Sequence, residues 1–311
     1  MTVKPLFTPP RYCRNPHIQS ALNSIGPRKI RANRLAAKLN SEYLILTTET
    51  GVRLAAEYDL SSGRVAPSKN ALVILIHGWE GSSRSAYQVT TAKYLLDRGF
   101  DVLRLNMRDH GDTQHLNRGI FNSTMTGEVA DAIEVFLQQH SYPMVFLAGF
   151  SLGGNFTLRI AADRGTDLGL KSAVAISPPV DPVNAMAALN QGSFIYKKYF
   201  MHRWTNSLRK KLVHFPDYDF GPELENAKTF DEMNQFFVPK YTEFKDAESY
   251  FRSYALTGDR LKDLTIPAHL ITAADDPIIP VADLDKINCP TMLNLEVHPY
   301  GGHCGFIMNL R

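Results

Sequence analysis

Apolar positions fall into two rhythms along this chain. "ALVILIHG" (71–78) and "MVFLAGF" (144–150) are short continuous apolar runs, which suits strands buried on both faces of a parallel sheet. "EYLILTTETGVRLAAEYDL" (42–60) reads as two strands folded about Thr50-Gly51. "DVLRLNMR" (101–108), "SAVAIS" (172–177) and "AHLITAAD" (268–275) continue the series. Helical spacing lies between them: around Tyr87, Tyr94 and Leu95 as far as Gly99, then at Val129, Ile133 and Phe136, then along "LGGNFTLRIAADR" straight after the run at 144–150. The alternation predicts an α/β fold with a mostly parallel, doubly wound sheet fed by right-handed crossovers.

Two stretches leave this rhythm. Residues 1–40 are basic, begin with prolines and have weak periodicity, so they are expected as an arm packed on a core formed by 41–180 and 263–311. Residues 181–262 show helical periodicity with many aromatics. They are expected as a helical cap over the sheet's carboxyl edge, where ligands bind in such folds. Within it, "FIYKKYFMHRWTNSLRKKL" (194–212) puts Tyr196, Phe200, Trp204 and Leu208 on one stripe, with Lys197, Lys198, Arg203, Lys210 and Lys211 around it. That stripe is expected to line an acyl pocket or to touch a lipid surface, a peripheral membrane contact through the cap.

Composition narrows the class. The 311 residues are 44% hydrophobic and 21% charged, and a chain of this size can bury a large core without disulfides. A net charge of +3 with no long Lys/Arg block gives no ground for nucleic-acid binding. Cys13, Cys289 and Cys304 are widely spaced and odd in number, which suits reduced thiols. With no signal-peptide pattern at the start and no run of about 18 apolar residues, the expected location is cytoplasmic. No His-Glu-x-x-His spacing or phosphate-cradling glycine loop occurs, so no metal or organic cofactor is expected.

The chemistry concentrates at "GFSLG" (149–153). The pattern Gly-x-Ser-x-Gly arises by chance in roughly one chain in ten of this length, so its flanks must decide. Here a buried strand precedes it and a helix follows at once, the context of a nucleophile elbow. Side chains at Gly149 and Gly153 would collide with neighbouring backbone, and the helix N-terminus directs free N–H groups at a developing oxyanion. Ser151 is the expected nucleophile.

Such a serine needs a base and an orienting acid. Chain order places the base after it, among His202, His214, His269, His298 and His303. His202 and His214 fall in the cap, His269 inside a strand as a core histidine, and His298 at a strand end. His303, in the glycine-flanked loop "YGGHCGF", is best placed to reach back over the elbow. Acid candidates are Asp275 and Asp276 in "AADDPIIP" and Asp181 after "ISPPV"; Pro277 restricts Asp276 to extended backbone that can aim its carboxylate at the histidine loop. The oxyanion donors are expected to be the backbone N–H groups of Leu152 and, in "HGWEG" (77–81), of Trp79, with His77 a structural loop histidine.

The motifs "NPHIQS", "HGWEGSS", "GFSLGGN", "AADDP" and "GGHCGF", spread over residues 15 to 306, resemble those of the α/β-hydrolase superfamily and its YheT-like branch. The resemblance implies a serine-dependent carboxylic-ester hydrolase, with Ser151 as nucleophile, Asp276 as acid and His303 as base. It implies relatives acting on short-chain esters, monoacylglycerols or phospholipids. Members of that branch usually continue past the histidine loop into a helix. Here either that helix lies outside this sequence or another element covers that side. Two rival functions remain: an acyltransferase using the same acyl-enzyme, and a non-catalytic binding protein on the same scaffold.

Overall fold

The computed structural model describes residues 7–23, 26–61 and 71–309. Among these residues, eight strands form one sheet: β1 (Glu42–Thr47), β2 (Arg53–Asp59), β3 (Ala71–Ile76), β4 (Phe100–Leu105), β5 (Met144–Phe150), β6 (Leu170–Ile176), β7 (Ala268–Ala273) and β8 (Leu293–His298). Their order is β1-β2-β4-β3-β5-β6-β7-β8. Only the pairings of β2 with β1 and β4 are antiparallel, and every other neighbour is parallel.

Side chains alternate across this sheet. From β3, Leu72, Ile74 and Ile76 join Val129, Ile133 and Phe136 of helix α4 (Thr126–Gln139) and Phe156 and Ile160 of α5 (Leu152–Arg164) in the main core. Val73 and Leu75 point the other way, toward Ala92 and Leu95 of α3 (Ala86–Leu96). Both faces of β3 are therefore covered, which is why its sequence is uninterruptedly apolar.

Before β1, the described residues include two short α-helices, α1 (Pro16–Leu22) and α2 (Pro27–Ala36). Each starts with proline at its first turn, and Asn15 caps α1 by accepting from His17 and Ile18 N–H. Ala32 of α2 packs on Ala86 and Val89 of α3. Five helices lie between β6 and β7: α6 (Pro182–Gln191), α7 (Phe194–His214), α8 (Gly221–Asn226), α9 (Phe230–Tyr241) and α10 (Ala247–Ser253). They bring a second apolar cluster of their own, built on Leu208, Phe220, Leu224, Met233 and Phe237.

Candidate active site

Ser151 sits between β5 and α5 with φ 52° and ψ −122°, a region that side chains rarely adopt. Its N–H is held by the Ile176 carbonyl at 2.7 Å. The tightness of the turn explains its glycines. A Cβ at Gly149 would lie 2.1 Å from the Gly153 carbonyl oxygen, and one at Gly153 would lie 2.3 Å from that of His77.

Two loops from other strand ends meet the serine. His303 follows β8, and its Nε2 lies 2.8 Å from Ser151 Oγ. Asp276 follows β7, and its Oδ2 lies 2.9 Å from His303 Nδ1. The Asp276 side chain is fully buried, and its Oδ1 accepts from Ile278 N–H (2.9 Å) and Ile279 N–H (3.0 Å). Hydroxyl, imidazole and carboxylate thus form one continuous row.

The other candidates stand apart. Asp275 Oδ1 accepts from Gly302 N–H at 2.8 Å, tying the histidine loop to the end of β7. Asp181 caps α6 through Val183 N–H and pairs with Lys286. His298 is buried against Phe306 and pairs with Glu296. His202 bonds Asn206 and His214 lies beside His115. His269 departs from expectation: it points to the outer side of β7, exposed and bonded to Asn294, because the strand's alternation turns its side chain away from the core.

The segment after β3 passes close to the serine. A side chain at Gly78 would stand 3.1 Å from Ser151 Cβ. Gly78 N–H donates to the Tyr87 hydroxyl, Glu80 N–H to His110 Nε2, and Gly81 N–H to the Gly78 carbonyl. Among the described residues, the N–H groups of Trp79 and Leu152 have no such partner.

Two buried histidines hold this loop in shape. His77 donates from Nδ1 to the Gly78 carbonyl and accepts Met107 N–H at Nε2. His110 donates from Nδ1 to the Arg108 carbonyl while its Nε2 accepts from Glu80. Burial, with the other histidine's charge added, pushes His77 well below its ordinary range, and burial takes His110 down to about 4. Both therefore work as neutral donor–acceptor pairs.

Sequence reasoning did not assign three contributors. Gln19 on α1 is fully buried, donates to the Cys13 and Ile307 carbonyls and accepts from Ile307 N–H. Ser20 Oγ accepts His303 N–H at 2.8 Å. The motif "NPHIQS" thus builds a short helix that grips the histidine loop. Lys211, grouped in the sequence with the surface cations of α7, is buried. It meets Asp109 Oδ1 at 2.8 Å and three carbonyls of the 114–119 loop, fastening α7 to the sheet's carboxyl edge.

A cavity of about 450 Å³ runs past Ser151. Its lining brings Met186, Leu189, Phe251, Ile278 and Ile279 together with Lys29 and Asn33 of α2 and Ile195 and Tyr199 of α7. The α7 stripe faces inward here: Phe200 stacks on Trp79 at 5.4 Å, and Trp204 meets the same indole edge-on at 5.5 Å.

Glu80 also borders the cavity, and burial lifts its carboxyl to about 7, against a weaker downward pull from Arg203. Its folded pKa is raised, so its stability contribution is present below the unfolded value near 4.5 and is lost as pH climbs toward 7. Glu80→Gln removes the titration. The stability of the variant relative to wild type should therefore rise by about 3 kcal/mol between pH 4.5 and 7, at about 1.4 kcal/mol per pKa unit. Thermal melts of both proteins across that range check it, and a constant difference would refute it.

A family model described as the alpha/beta hydrolase fold matches residues 71–310. The chain belongs to the α/β-hydrolase fold family. It is similar to the candidate esterase YheT of Escherichia coli (strain K12), at 23% identity over 97% of this chain and 87% of that protein. It also resembles the medium-chain fatty acid ethyl ester synthase/esterase 2 of Saccharomyces cerevisiae, at 22% identity over 76% of this chain and 58% of that one. In fold it is similar to the Pyrococcus furiosus esterase Pf2001, with a TM-score of 0.54 at 16% identity, covering 97% of this chain and 90% of that one.

Proposed function

We propose that this protein is a serine hydrolase that cleaves carboxylic esters through an acyl-serine intermediate. The observation that carries the reading is the row Ser151 Oγ–His303 Nε2, His303 Nδ1–Asp276 Oδ2, at 2.8 and 2.9 Å, with the cavity passing the hydroxyl. Ser151 Oγ attacks the ester carbonyl carbon as His303 Nε2 takes its proton, and the carbonyl π electrons move onto oxygen. Trp79 and Leu152 N–H groups, without another backbone partner among the described residues, stabilise that oxyanion. Collapse breaks the acyl–oxygen bond, and the leaving alcohol takes the proton from His303. Water, deprotonated by the same imidazole, then attacks the acyl-enzyme and releases the acid. Asp276 keeps the Nδ1 proton on the outer side of the ring throughout.

The five inserted helices act in this reading as a cap that selects substrates, since Met186 and Leu189 of α6 and Phe251 of α10 line the cavity. Esterase names among the relatives support the reaction class. A panel of p-nitrophenyl esters of increasing acyl length tests it: p-nitrophenolate release should peak at a chain length that the cavity accommodates. Absence of turnover across the panel, together with absence of fluorophosphonate labelling, would overturn the reading.

Acyl transfer is a second outcome of the same acyl-enzyme, and the yeast relative's synthase/esterase name favours testing it. With ethanol added to a turning-over reaction, ethyl ester formed at the expense of free acid would place transfer alongside hydrolysis.

A further inference from the structure

We infer that the surface formed by α2 and the first turns of α7, both of which contribute to the cavity lining, docks on an anionic lipid surface. The inference rests on the proposed ester hydrolysis only for its purpose, delivering ester lipids to Ser151; the surface itself stands on charge and exposure.

Charge along the chain is sharply divided. Residues 1–41 and 182–216 hold 14 of the 34 lysines and arginines and none of the 31 acids, leaving 20 cations against 31 acids elsewhere. The helices α2 and α7 fall in these acid-free segments. On α2 lie Arg28, Lys29, Arg31 and Arg34; on α7 lie Lys197, Lys198, Arg203, Arg209, Lys210 and Lys211. Lys210 and Lys211 pair with Asp112 and Asp109, but the other eight form no ion pair among the described residues. A pole of unpaired cations on a chain of net charge +3 repels itself, and an anionic partner relieves that repulsion.

Apolar side chains stand among these cations. Ile30 is 56% exposed, Phe194 70% and Ile195 74%. The inward stripe of Phe200 and Trp204 is consumed by Trp79, so these outward residues have a different role. Exposed bulky residues interleaved with lysine and arginine are the signature of a surface that inserts side chains below the headgroups while its cations meet lipid phosphates. A polyanion such as nucleic acid would use the charges and leave Ile30 and Phe194 in water. Lys29 and Asn33 of α2 and Ile195 of α7 line the cavity, so a lipid held at this surface lies beside the space that runs past Ser151.

The test is co-sedimentation with vesicles of phosphatidylcholine alone and of phosphatidylcholine with an equal part of phosphatidylglycerol, at low and high salt. Wild type should pellet with the anionic vesicles at low salt and much less in the other conditions. Arg31→Gln/Lys198→Gln should weaken binding about thirtyfold, at roughly fivefold for each cation near the surface. Ile30→Ser/Phe194→Ser should weaken it as well. None of these four residues lines the cavity, so turnover of a short soluble ester should stay at the wild-type level in both variants, which also reports that they fold. Failure of wild type to pellet with anionic vesicles at low salt would overturn the inference. So would loss of binding on charge removal with none on removal of the apolar pair, the behaviour of a general polyanion site. Binding without turnover of any ester would leave this surface standing and remove the hydrolase reading instead.

Discussion

Ser151→Ala is expected to lower ester turnover by on the order of a millionfold, as loss of the nucleophile does in a serine protease where the change has been measured. The physical reason is that no other hydroxyl shares its position. Ser177 is the nearest decoy by conformation, since it too has a positive φ, of 47°. It is fully buried, and its Oγ accepts the Cys304 N–H rather than meeting an imidazole. Alanine keeps the Cβ within the tight turn and removes only the hydroxyl. The variant should therefore fold, with a melting temperature close to wild type. A fluorophosphonate should label Ser151 in wild type and nothing in Ser151→Ala. Labelling of the variant at Ser177, with turnover retained, would move the nucleophile and refute the assignment.

How far this arrangement is legible in the sequence depends on the range of the interactions. Continuous apolar runs announced β3 and β5 because both faces of a central parallel strand are buried, and they placed Ser151 on the turn that follows. Gly149 and Gly153 were legible for a local reason, the close approach of backbone to backbone. Pairing across the chain was not. The grip of Gln19 and Ser20 on residues 303–307 joins segments more than 280 residues apart, and no periodicity in "NPHIQS" points to a partner. The burial of Lys211 was hidden for a similar reason. On the helix it falls on the phase of the apolar stripe, three residues after Leu208, but the groups that receive its ammonium, Asp109 and the carbonyls of the 114–119 loop, are set by another part of the fold. His110 shares this property: its contact with the Glu80 N–H belongs to the meeting of two loops after β3 and β4, not to either loop alone.

Asp276→Asn should cost about ten-thousandfold in turnover, the scale seen when a triad aspartate is replaced by its amide. The surroundings of the side chain explain why the swap is harmful despite being nearly isosteric. Oδ1 is fixed as the acceptor of the Ile278 and Ile279 N–H groups, so an asparagine would keep its oxygen there and turn its NH2 toward His303 Nδ1. Nδ1 would then have to accept, forcing the imidazole proton onto Nε2. That nitrogen faces Ser151 Oγ at 2.8 Å and could no longer take the serine proton. Asp275→Asn has no such consequence. Its oxygen can go on accepting Gly302 N–H, and its other carboxylate oxygen has no hydrogen-bond partner among the described residues, so a loss of about tenfold or less is expected. Asp181→Asn keeps the cap of α6 and gives up only the pairing with Lys286, far from the imidazole. Steady-state kinetics on the three variants, each checked by thermal melt, separates them. Imidazole proton resonances should in addition show the tautomer reversed in Asp276→Asn alone. A crippled Asp181→Asn with an active Asp276→Asn would mean that the acid acts from the end of β6, and the 2.9 Å contact between Asp276 and His303 would then be structural rather than catalytic.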